Sequence, residues 1–443
     1  MSDNNRQKIN EKVNEKTLIA TVDIGKRTHT GYWRAYNGAE GKVFSFSNNR
    51  SGFEYFLKVI YAAKSNNKAD TIIVGFESTG PYGKPLIHYL VRQKVRLVQV
   101  NSYHIKRVKE LNDNSPLKSD IKDPRVIADI IQLGHFLSPI VPMGVAAELR
   151  ELIYERETLI RYKTAAYNRL QNILSVVFPE FLSIMKGARS KCAHFLLQKY
   201  QTPQKIAELG IKQLTKIIRS ISRGRISVNR IEELYNASIH SIGVKEGTTS
   251  MAKRIQNCLE HITMYNRQID SLENDIAISL THHPSSRFLL SIKGVNVITA
   301  AALIGEVGDF ECFRSYKTIL KLAGLNLYEV SSGSRRGRRY ISKRGRHLLR
   351  KILFYASINA IRKHGILRSY YQRLLCHHMP RIKAIIAVMR KLVCIMFALV
   401  RNKTIYNPEY SKLKNTVLKQ VYERVRLSSA VLRRSRTFGT TFV

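Results

Sequence analysis

The sequence predicts a mixed α/β domain at the N-terminal end and helices through most of the remaining chain. Three observations lead there. Short β-branched apolar runs fall at 17–35, 71–77 and 96–100, with helix-like segments between them, the alternation that builds a sheet covered by helices. From 146 to 177, and again from 250 to 280, apolar residues return every three or four positions, which is the seam of a helical hairpin or coiled coil. Beyond Pro284 the apolar stretches read as helices joined by tight glycine turns. A chain of 443 residues with 44% hydrophobic content has material for two or three separate cores.

Taken in order, residues 1–16 are a polar, charged tail, unlike a signal peptide. Residues 17–35 read as a strand, a turn at Gly25 and a returning strand; TIIVGFE (71–77) and RLVQV (96–100) add two more. These place the α/β domain at 17–145. A helical, coiled-coil domain follows at 146–283, less regular between 182 and 246. A third, mostly helical domain spans 284–408, opening with LLSIKGVNVITAAALIGEVG as helix, glycine turn, helix. Residues 409–443 form a basic tail.

Charge narrows the function. The formal net charge is +42, from 74 Lys and Arg against 32 Asp and Glu, an excess that repels itself unless a polyanion neutralises it. Between 330 and 443 there are 27 Lys and Arg against two acids, Glu409 and Glu423, and from 330 to 408 there is no acid at all. A solvated face normally carries compensating acids, so a nucleic acid is the expected partner. A membrane is not: the longest apolar run, near 385–400, is broken by Arg390 and Lys391. The five cysteines are scattered, without the spacing of a zinc finger or disulfide framework, which suits a reducing cytoplasm.

Within this basic chain a few acids stand where acids are costly. Asp23 and Glu77 each end an apolar strand, and an ionised acid there needs a partner or a metal. Asp120 and Asp123, in KSDIKDPRVIADII, share a face if that segment is helical, with Pro124 suited to its first turn. Taken singly, a strand-end acid is an ordinary ion-pair partner, and D-x-x-D an ordinary complement to a helix dipole. Together they are the parts of a carboxylate cluster able to hold two divalent ions for phosphoryl transfer.

The second unusual segment is AGLNLYEVSSGSRRGRRYISKRGRHLLR, 323–350, with eight Lys and Arg between Arg335 and Arg350 and with Gly337 and Gly345 among them. Glycines let backbone amides approach phosphates, guanidinium groups clamp them, and a serine in that field meets little electrostatic resistance in attacking a phosphodiester. A flexible turn is the plainer reading of Ser-Ser-Gly-Ser.

In the order and spacing of its acids, Asp23 in TVDIGK, Glu77 in GFESTGPYG, and Asp120 with Asp123 in KSDIKD, the chain resembles the DEDD transposases. Their catalytic domain is like that of the RuvC Holliday-junction resolvase, so the resemblance implies an RNase H-like first domain. It also implies Mg²⁺ (or Mn²⁺) at Asp23, Glu77, Asp120 and Asp123; Asp129 is a substitute for the last, and Lys118 a candidate phosphate contact. The later segment is similar to the C-terminal domain of the same insertion-sequence family, often called IS-one-ten, which includes the Piv DNA invertase. It carries Gly324-Leu325, Ser332-Gly333, Ile341-Ser342-Lys343, Gly345 and Leu349-Arg350.

That pattern puts the nucleophile at Ser332, with Ser331, Ser334, Tyr328 and Tyr340 as alternatives. It puts nucleic-acid contacts at Arg335, Arg336, Arg338, Arg339, Lys343, Arg344 and Arg346. The stretch 289–308 is similar to the family's helix–hairpin–helix, with Gly294 at the phosphate-facing turn. Asn296 stands where that hairpin usually has its second glycine, and asparagine tolerates left-handed backbone. The resemblance further implies recombination of an insertion sequence through DNA element ends and target, a structured bridge RNA as guide, and a homo-dimer or tetramer. Two other classes fit parts of the pattern. A metal-dependent nuclease or junction resolvase needs the acids without Ser332, and a nucleic-acid architectural protein needs neither.

Overall fold

All of β1 (Thr17–Asp23) up to its final aspartate is buried, as expected of a central strand covered on both sides. β2 (Thr28–Ala35) and β3 (Phe44–Ser47) add antiparallel on one flank; β4 (Thr71–Glu77) and β5 (Arg96–Val100) add parallel on the other, giving the order β3-β2-β1-β4-β5. The computed structural model describes residues 13–77, 80–113, 122–329, 337 and 339–409. Helices α1 (Arg50–Asn66) and α2 (Lys84–Arg92) cover one face. There Phe53, Phe56, Ile60, Leu86 and Leu90 meet Leu18, Ala20, Val22, Val74 and Phe76. Helices α3 (Ser102–Asp113) and α4 (Lys122–Gln132) cover the other, where Ile105, Val126, Ile127, Ile130 and Ile131 meet Ile19, Tyr32, Ile73, Val98 and Val100. These elements lie in the first of two compact units, Met1–Val141; the second is Pro142–Val443.

In the second unit, α5 (Val145–Val177) and α11 (Thr248–Thr281) lie along each other. Arg156 binds Glu273 at 2.6 Å, Lys163 donates to Asn266 at 3.2 Å, and the Tyr162 and Tyr265 rings are 6.0 Å apart. Arg156 meets a residue further along α11 than Tyr162 and Lys163 do, so the helices are antiparallel. The stretch between them consists of α6 (Pro179–Ile184), α7 (Lys191–Lys199), α8 (Pro203–Ala207), α9 (Gly210–Ser222) and α10 (Val228–Ile239). Their apolar faces close a core with Leu170, Leu174, Ile255 and Leu259 of the long pair.

The remaining helices are α12 (Ser286–Leu290), α13 (Val297–Val307), α14 (Tyr316–Leu322), α15 (His347–Ala360), α16 (Arg368–Cys376) and α17 (Arg381–Asn402). α13 is buried from Thr299 to Val307 and crosses α5 at Gly305, where a Cβ would stand 2.9 Å from the Arg150 backbone. Only glycine permits that approach. The run 385–400 forms an amphipathic face of α17, with Val388, Leu392, Met396 and Val400 inward, and no described helix is long and apolar enough to cross a membrane.

Candidate active site

Pairing of Val22 with Phe76 sets Asp23 beside Glu77 at the carboxyl end of β1 and β4. Both side chains take the α4 side of the sheet. Along β1, Ile19 lies in the α3/α4 core and the Thr21 hydroxyl donates to the Pro124 carbonyl of α4 at 2.7 Å, so period-two alternation turns Asp23 the same way. Along β4, Ile73 lies in that core and Gly75 faces Ile131 of α4, and Glu77 follows. Asp123, 4% exposed, stands in the first turn of α4, which the Thr21–Pro124 bond fastens to β1 two residues short of Asp23. Three of the four predicted acids therefore share one face and one end of the sheet; Asp120 and Lys118 lie outside the described residues.

Gly75 is the reason α4 fits. A Cβ there would lie 2.0 Å from Ile131 Cδ1, so the helix rests against bare backbone. Gly75→Val should lift α4 from β4, destabilise the domain by about 1–3 kcal/mol and shift Asp123 away from Glu77. Urea unfolding checks this, and a variant with an unchanged midpoint would contradict the close packing.

Asp129 occupies a different place. Arg34 holds it at 2.5 Å, and Arg34 lies opposite Ile19 on β1, about 13 Å along the strand from Asp23 at about 3.3 Å per residue. Of the two acids on α4, Asp123 is the one near the strand ends. Among the described residues no three His, Cys, Asp or Glu side chains stand close enough together to hold a metal ion. The three described acids offer carboxylate oxygens alone, the donor type of hard divalent cations.

The turn beside Asp23 is built on the opposite face. Gly25 has no room for a Cβ, which would fall 2.0 Å from the Thr28 carbonyl, and its N–H donates to His29 Nδ1 at 3.2 Å. His29 is fully buried, with its ring stacked on Phe53 and edge-on to Phe46. Burial holds its pKa below the usual value, against a smaller opposing effect of Asn48. The folded state therefore keeps His29 neutral while the unfolded chain takes up a proton. The stability contribution is complete above about pH 6.5 and falls as pH drops through the unfolded value toward the lowered folded one. Denaturant midpoints measured from pH 7.5 to 5.5 should decline, and His29→Phe should make that decline shallower.

The residues flanking the serine segment form a small framework. Strands β6 (Leu327–Glu329) and β7 (Arg339–Ile341) form an antiparallel hairpin. Its root is closed by backbone bonds from Ser342 N to Asn326 O at 2.9 Å, Lys343 N to Gly324 O at 3.0 Å and Arg346 N to Leu322 O at 2.7 Å. The Arg350 guanidinium donates to the Ala323 and Lys343 carbonyls at 3.0 and 3.2 Å, one on each side of the root. Gly345 fits because a Cβ would stand 2.4 Å from the Leu322 carbonyl, and Gly324 adopts φ +68°. Gly324, Ser342, Lys343, Gly345 and Arg350 thus act together as one clasp.

Ser331, Ser332, Ser334, Arg335, Arg336 and Arg338 lie outside the described residues. Arg339, Lys343 and Arg344 are exposed, Arg339 paired with Glu329 at 2.8 Å. Arg346 turns inward, its guanidinium 3.0 Å from the carboxylate of Glu306, which is 1% exposed. Burial first, and the neighbouring Arg150 second, lower the Arg346 pKa. Tyr328 and Tyr340 face each other across the hairpin with ring centroids 6.2 Å apart, both about half exposed.

The turn before α13 differs from expectation in one respect. Gly294 does take left-handed backbone, at φ +100°. Asn296 is extended, at φ −94°, and caps α13 by accepting from Thr299 N at 2.9 Å. The asparagine stands there as an N-cap, so no left-handed tolerance is required of it.

Residues 20–179 match a family of DEDD transposases described simply as "Transposase", and residues 286–372 match "Transposase IS116/IS110/IS902 family". The chain is 30% identical over 388 residues to the pilin gene-inverting protein of Moraxella bovis, covering 87% of this chain and 96% of that one. It is 24% identical over 389 residues to an IS110 uncharacterized 43.6 kDa protein of Streptomyces coelicolor, covering 87% and 94%. To the transposase of element IS1111A of Coxiella burnetii it is 27% identical over 165 residues, 36% and 45% of the two chains.

Proposed function

Because the chain belongs to the IS116/IS110/IS902 family of transposases, enzymes of DNA recombination, we propose that it excises and inserts an insertion sequence with two sets of groups: the carboxylates Asp23, Glu77, Asp120 and Asp123, and the Ser332 hydroxyl. The observation that carries this is the placement of Asp23, Glu77 and Asp123 on one face and one end of the sheet. The strand order, with three antiparallel strands followed by two parallel to the first, supports an RNase H-like, RuvC-like reading of that domain. The left-handed Gly294 between α12 and α13 supports a helix–hairpin–helix whose turn amides meet phosphate.

In this reading the carboxylates hold Mg²⁺ (or Mn²⁺), which when bound supplies charge stabilisation at the phosphoryl oxygens. Ser332 Oγ attacks the scissile phosphorus as its proton departs. The bond to a deoxyribose oxygen breaks, and that oxygen leaves as a hydroxyl. A second strand's hydroxyl reverses the exchange, releasing the serine. Exposed Arg339, Lys343 and Arg344, with Arg335, Arg336 and Arg338, neutralise the phosphates; Arg346, engaged with Glu306, is not among them. The DNA substrates are element ends and target, and the net charge suits a structured bridge RNA equally well. The antiparallel α5–α11 pair offers a coiled-coil arm for assembly into a dimer or tetramer, and the setting is cytoplasmic.

Ser332→Ala tests the chemistry. With element DNA, guide RNA and Mg²⁺, the wild type should give a covalent protein–DNA adduct that denaturing gels detect, and the variant should give none while folding normally. Undiminished cleavage by the variant would instead identify a metal-dependent nuclease.

A further inference from the structure

At the end of the long helical pair, α5 and α11 leave an open cavity of about 180 Å³, lined by Arg169, Asn172, Ile173, Val176, Met251 and Arg254. Its composition is divided. Ile173 is buried and, with Val176 and Met251, makes an apolar floor, while Asn172 and the two arginines stand exposed at the rim. Arg169 and Arg254, one from each helix, line the same recess. Neither is ion-paired among the described residues. Arg156, on the same helix as Arg169, is by contrast held by Glu273 and Glu157. Two unpaired guanidinium groups converging on one recess repel each other unless an anion lies between them, and a planar fork suits phosphate oxygens bidentately.

We propose that this recess binds one phosphodiester of a nucleic-acid strand, with the phosphate between Arg169 and Arg254, Asn172 donating to it, and the adjoining sugar resting on Val176 and Met251. An inorganic anion would leave that apolar floor unused, and an acidic peptide would not match a two-pronged clamp open to one side. None of these residues belongs to the carboxylate set or the serine segment, and binding here does not depend on whether Ser332 is the nucleophile.

The test is equilibrium binding of the full chain, without cleavage, to three fluorescent ligands of matched length: a DNA duplex, a DNA single strand and an RNA hairpin. Each is titrated at several salt concentrations with wild type, with Arg169→Ala/Arg254→Ala, and with the charge-matched Lys212→Ala/Lys216→Ala on the exposed face of α9. Because all four replaced side chains are exposed, the variants should fold, and circular dichroism verifies it. The arginine variant should bind at least one ligand on the order of tenfold more weakly than the lysine variant does, with a salt slope shallower by about one unit. The ligand most affected identifies the strand as DNA or RNA, and an equal loss on all three identifies backbone without preference. Arginine and lysine variants that match in affinity and slope on every ligand would overturn the proposal.

Discussion

Glu306→Ala should destabilise the second unit by about 3–5 kcal/mol, more than any other single change considered above. Glu306 is the one acid in the apolar helix ITAAALIGEV and is 1% exposed. Arg346 reaches it from the start of α15, bonding both its carboxylate and its backbone carbonyl. Truncating the acid leaves a buried guanidinium facing Arg150, the same neighbour that already disfavours its charge. The cost arises from that uncompensated cation, so Glu306→Gln should recover part of it, and Glu306→Leu combined with Arg346→Met should recover most. Urea unfolding at pH 7 measures all three. A midpoint for Glu306→Ala equal to wild type would mean that the pair contributes nothing.

Asp23→Asn should lower DNA strand cleavage by about 10³-fold or more, equivalent to roughly 4 kcal/mol of lost transition-state stabilisation, with little effect on folding. The substitution keeps the shape at the end of β1 and removes only the charge. Asp129→Asn, on the same domain and also losing one charge, should leave cleavage within a few fold, because Asp129 serves Arg34. Single-turnover cleavage with saturating DNA reads the chemical step directly. If Asp129→Asn fell as far as Asp23→Asn, the assignment of Asp123 over Asp129 would be wrong.

The central strands were legible because burial on both faces writes itself as an apolar run: TLIATV and TIIVGF admit few other structures. β3 was not legible. Its sequence FSFS is a four-residue edge strand with alternate residues exposed, too short and too polar to separate from a loop. The hairpin β6–β7 was hidden for a related reason. Its strands are three residues long and mostly exposed, so no apolar run marks them, and the bonds that close their root are made by residues outside them. The acids at strand ends could be found because charge there is anomalous. Their shared face follows from Gly75 and from the Thr21–Pro124 bond, which joins residues 103 positions apart. A glycine inside an apolar strand is the signal that marks such an approach, and it stood in TIIVGFE. Glu306 gave a comparable signal as a lone acid in an apolar helix, but nothing in the sequence nominated Arg346 as its partner.

The clasp formed by Gly324, Gly345 and Arg350 keeps the support of the serine segment apart from the segment itself. All of the clasp's bonds are made by residues up to Asn326 and from Ser342 onward. A substitution at the proposed nucleophile removes none of them, so the anchorage of the segment and its chemistry can be varied one at a time.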